Sequence, residues 1–213
     1  MKVGIIDYGV GNLGSVFRAV EELNFKPLMI DRAVDLHTAD CMILPGVGSF
    51  GDCVKILQAG GWIDGIRDEV INYQRPLLGI CLGMQLLADS SAEGLDDEGI
   101  SPCGLGLIAG QVRHLRTLGA YLRVPHVGWN SVKVTSERDV LFREIPDETD
   151  FYFVHSYGFV ARDAHDVIAV VEYGVEITAA VRHGRVWGTQ FHPEKSSKRG
   201  FQLLRNFLEA PHC

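Results

Sequence analysis

In the N-terminal half of the chain, short apolar runs alternate with stretches whose apolar residues recur every three or four positions. Residues 2–8 (Lys-Val-Gly-Ile-Ile-Asp-Tyr) form one run closed by Gly9, and residues 13–23 follow at helical spacing. That pair predicts a strand, a tight turn and a helix. Residues 26–30 and 41–44 are two further runs, bounded by charged residues or by Pro45-Gly46. A helical stretch at 63–73, a strand at 76–80 and a helix at 83–88 repeat the unit. Apolar strands alternating with amphipathic helices predict an α/β fold with a mostly parallel sheet covered on both faces.

Beyond residue 110 the pattern changes. Segments 111–115, 131–135, 151–154, 167–173, 177–182 and 185–190 all read as strands with short turns between them. Antiparallel strands there extend the parallel sheet or add a second layer. Residues 197–208 close the chain as a helix with Phe201, Leu204, Phe207 and Leu208 on one face. No repeat, low-complexity stretch or Pro/Gly/Ser linker divides the chain, so the expectation is one domain over residues 1–213. Residues 89–102, rich in acidic residues and serine, read as a surface loop.

Composition removes several function classes. Twenty Lys and Arg against 27 Asp and Glu leave a net charge of −7, and no basic run is present to track phosphates. Nucleic acid is not the expected partner. No stretch approaches the length of a membrane span, and Asp7 comes too early for a secretory signal, so a soluble cytoplasmic protein is expected. The five cysteines, Cys41, Cys53, Cys81, Cys103 and Cys213, are odd in number and never paired as Cys-x-x-Cys, which argues against a disulfide framework or a thiolate zinc site. The remaining histidines have no metal-ligand spacing; neither a metal nor a cofactor is expected.

Three segments carry candidate chemistry. Gly79-Ile80-Cys81-Leu82-Gly83 stands where a strand gives way to a helix. It is the cysteine counterpart of the Gly-x-Ser-x-Gly elbow, which lifts a nucleophile above the carboxyl end of a sheet. The helix amino terminus beyond it favours thiolate over thiol. The plain alternative is a buried core thiol in a glycine-rich turn. Gln190-Phe191-His192-Pro193-Glu194 follows another predicted strand. In an extended segment His192 and Glu194 face the same way, giving a histidine base with a carboxylate to orient it. Alone, that segment reads equally as a strand-end histidine beside a solvated acid; together with the elbow it completes a Cys81/His192/Glu194 triad. The third segment, Pro45-Gly46-Val47-Gly48-Ser49-Phe50-Gly51, has glycines that leave its peptide groups free to turn toward a ligand, but it lacks the lysine of a phosphate-binding loop. An oxyanion hole built from the Leu82 N–H and the backbone of Gly46, Val47 and Gly48 suits it better.

These three segments, extended by Met84-Gln85-Leu86-Leu87 and Lys195-Ser196, resemble the class I (triad) glutamine amidotransferases, and the resemblance spans nearly the whole chain. Val124-Pro125-His126-Val127-Gly128-Trp129-Asn130, Tyr152-Phe153-Val154-His155-Ser156-Tyr157 and the opening Ile6-Asp7-Tyr8-Gly9 with Gly11-Asn12 are similar to the amidotransferase subunits of imidazole glycerol phosphate synthases. Gly158 departs from the pattern, which places a bulkier residue there, and residues 96–103 do not align with it. The resemblance implies a flavodoxin-like fold and hydrolysis of glutamine through a Cys81 thioester. It also implies glutamine-binding roles for Gln85, Glu93, Ser156 and Tyr157. It further implies ammonia transfer to a (β/α)₈-barrel cyclase, docked near Pro125, Trp129 and Asn130, with Tyr152 and Lys195 by the ammonia exit. His126 and His155 read as hydrogen-bonded structural residues. A glutaminase serving another synthase, or a flavodoxin-like binding module without turnover, stays open at this point.

Overall fold

The computed structural model describes residues 1–95, 99–136 and 139–210. Asp96, Asp97 and Glu98 of the unaligned loop, and His212 and Cys213, lie outside the described residues. The N-terminal half runs β1 (Lys2–Ile6), α1 (Leu13–Glu22), β2 (Lys26–Ile30), β3 (Cys41–Gly46), α2 (Phe50–Ala59), α3 (Trp62–Ile71), β4 (Leu77–Cys81) and α4 (Leu82–Gln85). The C-terminal half continues with β5 (Ser90–Ser91), β6 (Gly110–His114), β7 (His126–Val134), β8 (Thr149–His155) and β9 (Tyr157–Ala161). It ends with β10 (Val167–Glu172), β11 (Glu176–His183), β12 (Val186–Thr189) and α5 (Ser197–Glu209).

A nine-stranded sheet in the order β2-β1-β3-β4-β12-β11-β10-β7-β8 forms the frame. Its parallel part is β2-β1-β3-β4-β12, and β11, β10, β7 and β8 extend it with antiparallel pairings. Both anticipated arrangements of the late strands occur, because β5, β6 and β9 make a separate three-stranded sheet. The parallel strands alternate between two cores. Val3, Ile5, Ile43, Leu78 and Ile80 pack toward α1 and α5, whereas Ile6, Met42, Leu44 and Leu77 pack toward α2 and α3. A strand covered on both faces has no polar side, which is why these segments read as unbroken apolar runs.

Two secondary-structure expectations need correction, and one departure from the family pattern finds its reason. The 83–88 helix is only the single turn of α4. Within the 89–102 loop, Ser90–Ser91 pairs with β6. At Gly158, on β9, a side chain would start 3.3 Å from Ile177 Cγ2 and 3.4 Å from both Leu115 and Leu118, so apolar neighbours already fill that space.

Candidate active site

The carboxyl ends of β3, β4 and β12 meet at one cleft, the edge where open α/β sheets bind ligands. Cys81 ends β4 with φ +56° and ψ −111°, a conformation that non-glycine residues rarely hold. The turn is locked by close backbone approach. A Cβ at Gly83 would lie 1.8 Å from the Leu44 carbonyl oxygen of β3, and one at Gly46 would lie 2.8 Å from the Gly83 nitrogen. Gly83→Ala is therefore expected to force the elbow off β3, costing about 3 kcal/mol and lowering Tm by about 6–12 °C. A thermal melt within a degree of the parent would show that the elbow is not held this way.

His192, three residues beyond β12, caps a 3₁₀ turn, Pro193–Lys195. Its backbone is clamped to β8: the His192 N–H donates to the Tyr152 carbonyl at 2.9 Å, and the Ser196 hydroxyl donates to the His192 carbonyl at 2.6 Å while accepting the Tyr152 N–H at 3.0 Å. Glu194 comes near the ring through this turn, which corrects the expectation of an extended strand. Its Oε1 accepts from His192 Nδ1 at 2.8 Å, and the two side chains are 1% and 3% exposed. Asn12 Nδ2 donates to the same oxygen at 3.4 Å. His192 Nε2 is buried without a hydrogen bond of good geometry, yet the Cys81 sulfur is near enough to act on the ring. Burial pulls the imidazole down, but the Cys81 sulfur and the Glu194 carboxylate outweigh it and push the ring up to about 9. At neutral pH the ring is held as an imidazolium beside the sulfur. Cys81 Sγ also sits 3.8 Å from Gln190 Nε2 and 3.8 Å from the Val154 carbonyl. The helix that follows Cys81, α4, is a single turn.

Cys81 and His192 open into a cleft of about 290 Å³. Leu82, Val47 and Gly48, three of the four anticipated oxyanion positions, line it. Gly46 does not; it is buried at the end of β3, beneath the elbow. Gln85, Glu93, Ser156 and Tyr157 line it as well. Gln85 is buried, with its Nε2 donating to the Tyr157 carbonyl and to Gln190 Oε1, both at 2.9 Å. Glu93 Oε2 accepts the Phe50 N–H at 2.9 Å; burial raises its carboxyl above the usual range despite that bond.

Of the surface residues anticipated from sequence, Pro125 lies at the cleft and follows a cis peptide bond. Trp129 is 53% exposed and faces Tyr152 across the β7–β8 register, the two rings edge to face with centroids 6.1 Å apart. Asn130 is half-buried and Lys195 exposed. Gln190, Asn12 and Ser196 were missed as site residues, although Gln190, Ser196 and Asn12 all stand inside the quoted motifs. Each is a polar residue whose role has no meaning until the fold supplies its partner.

Residues 4–210 match the family Glutamine amidotransferase class-I. The chain is 45% identical to the imidazole glycerol phosphate synthase subunit HisH of Moorella thermoacetica (strain ATCC 39073 / JCM 9320) over 97% of this chain and 94% of that one. It is 43% identical to the imidazole glycerol phosphate synthase subunit HisH 2 of Vibrio vulnificus (strain YJ016) over 98% and 94%. Among solved structures, the fold is shared with a glutamine amidotransferase (TM-score 0.75, 22% identity, 99% of each chain) and with PurLQS from Thermotoga maritima (TM-score 0.76, 19% identity, 99% and 98%). With the family description covering the cleft and near-full-length relatives above 40% identity, the chain belongs to the class I glutamine amidotransferases and is a relative of the HisH subunits.

Proposed function

We propose that this chain is the glutaminase subunit of an imidazole glycerol phosphate synthase, acting as one domain in the cytoplasm. The observation that carries the reading is the buried His192–Glu194 couple beside Cys81, at a cleft that also holds Gln85 and Glu93. Such a cleft suits an amino acid. Glu93 and the acceptor oxygen of Gln85 meet an ammonium, and the backbone of the Val47–Gly48 loop and Leu82 meets the side-chain amide.

Cys81 thiolate attacks the glutamine carboxamide carbon, and the oxyanion is held by backbone N–H groups. His192 gives its proton to the departing ammonia as the C–N bond breaks, leaving a γ-glutamyl thioester. The ring then takes a proton from water, which attacks the thioester, releasing glutamate and returning the thiolate; Glu194 keeps the imidazole oriented throughout.

Ammonia is a nucleophile only while unprotonated, so direct transfer to a second site is favoured. Val127, Trp129 and Val154 are exposed apolar residues on β7 and β8, at the edge of the sheet beside the cleft. That face suits a (β/α)₈-barrel cyclase, with Tyr152 and Lys195 bordering the passage.

The test is labelling of Cys81 by a glutamine-mimicking electrophile in the presence of the cyclase. Protection by glutamine and equimolar ammonia delivery to the cyclase product support the reading; an unreactive Cys81 in the complex refutes it. Trp129→Ala is expected to weaken cyclase binding by about 2 kcal/mol, close to thirtyfold in Kd, since a half-exposed tryptophan in an interface is commonly an anchor. Unchanged affinity by calorimetry would move the docking surface elsewhere.

A further inference from the structure

Two buried histidines outside the triad are joined into a single directed chain of hydrogen bonds. On β7, Asn130 has a fixed amide orientation: its Oδ1 accepts the Ser131 N–H at 2.9 Å, and its Nδ2 donates to the Glu172 carbonyl at 2.9 Å. The second Nδ2 hydrogen faces His126 Nε2 at 3.3 Å, so that nitrogen is an acceptor. The proton of a neutral His126 then sits on Nδ1, which is 3.0 Å from His155 Nε2. His155 Nε2 must accept, and His155 Nδ1 carries the proton that reaches the Tyr157 carbonyl at 2.8 Å. The same carbonyl accepts from Gln85 Nε2, whose other hydrogen goes to Gln190 Oε1; Gln190 is thereby left to present its Nε2 to Cys81 Sγ.

Every proton in this series has one place. Adding one to either imidazole sets N–H against N–H, and burial keeps both rings neutral, lowering His126 to about 4 and His155 to about 3. Aromatic packing fixes the first ring: His126 is stacked between Phe153 at 4.7 Å and Tyr173 at 3.9 Å.

We propose that His126 and His155 are positioning residues for glutamine hydrolysis, a two-imidazole relay that pins the Tyr157 carbonyl from the β7 side and so sets how Gln85 meets the substrate and Gln190 meets the nucleophile. The relay rests on the glutaminase reading for its kinetic consequence but not for its proton arrangement. Because Gln85 spends both amide hydrogens within the protein, it faces glutamine as an acceptor. A carbonyl that drifts frees that amide to flip, and substrate affinity suffers before the chemical step does.

The experiment has two arms on the full chain. First, ¹⁵N spectra of the imidazoles are expected to show Nδ1 protonated and Nε2 bare at both His126 and His155. Asn130→Asp puts an acceptor against His126 Nε2, so the altered protonation pattern should appear at His155 as well, one ring beyond the contact made. Nε2-protonated rings in the parent, or a His155 spectrum untouched by Asn130→Asp, would overturn the relay. Second, His155→Phe, which keeps an aromatic ring and removes the polar atoms, is expected to raise KM for glutamine about tenfold with kcat changed less than threefold, measured with the cyclase present. An unchanged KM in a variant that melts like the parent would overturn it too. The spectra need no turnover, so a parent chain that fails to hydrolyse glutamine would refute the functional reading and leave the spectra to decide the relay.

Discussion

Replacing Cys81 by serine is expected to reduce glutamine turnover by about 10⁴-fold or more, because removing the nucleophile of such a set abolishes nearly all the chemistry that the whole set provides. The substitution exchanges one atom at a nearly buried position whose φ of +56° is imposed by the interlocked backbones of β3 and β4, so the fold should tolerate it. The serine hydroxyl would meet the same imidazole but is a far weaker nucleophile than a cysteine sulfur. Three readouts separate this outcome from general damage: an unchanged thermal melt, loss of electrophile labelling, and retained glutamine binding by calorimetry, since Gln85 and Glu93 are untouched. Turnover above a tenth of the parent rate would mean that the reacting sulfur lies elsewhere. Among the other described cysteines, Cys103 is exposed and lines a different cavity from the one that holds Cys81, and the two buried ones are poor candidates. Cys41 is buried and held up at about 12, chiefly by desolvation. Cys53 is buried and raised by the same cause, its thiol donating to the Val47 carbonyl at 3.6 Å.

The chain announces much of this arrangement in advance, and the reasons are local. The parallel strands are legible because both faces are covered, leaving apolar runs that only turns interrupt. Cys81 is legible because a strand, a strained turn and a helix compress into five residues whose glycines mark the close approach to Leu44. His192 and Glu194 are two positions apart, so their contact needs no long-range folding. What stays hidden depends on distant packing. Nothing local marks residues 157–161 as a strand; Tyr157 pairs with His114 and Ala161 with Gly110, partners set by sequence-remote β6. Gln85 looks like a solvent-facing glutamine until β9 and Gln190 arrive to accept its hydrogens. The backbone geometry at Glu194 is not legible, because the proline that restricts His192 also starts a 3₁₀ turn, and both the extended and the turned chain can bring the carboxylate to the ring.

Glu194→Gln should leave the cleft in shape and still lower kcat by about 10³- to 10⁴-fold, the scale seen when a buried carboxylate orienting a catalytic histidine becomes an amide. An amide oxygen can accept from Nδ1, but it carries no charge to steady the imidazolium, and the amide nitrogen can face Nδ1 instead and invert the tautomer. The imidazolium that must protonate departing ammonia is then less populated at neutral pH and less often aligned. The same change has a signed effect on stability. His192 holds its proton in the folded protein up to about 9, above the ordinary value of 6.5 for the free side chain. The stability it contributes is complete below about 6.5 and is lost as pH rises through the folded value. Removing the carboxylate takes away one of the two partners that raise the ring. The variant should therefore melt below the parent at about pH 6, with the gap closing as pH climbs toward about 9.5. A gap that widens over that window would mean that the parent folds with a neutral His192 and that Glu194 stabilises something other than the imidazolium. Retained kcat with a closing gap would assign Glu194 to stability alone and remove it from the triad.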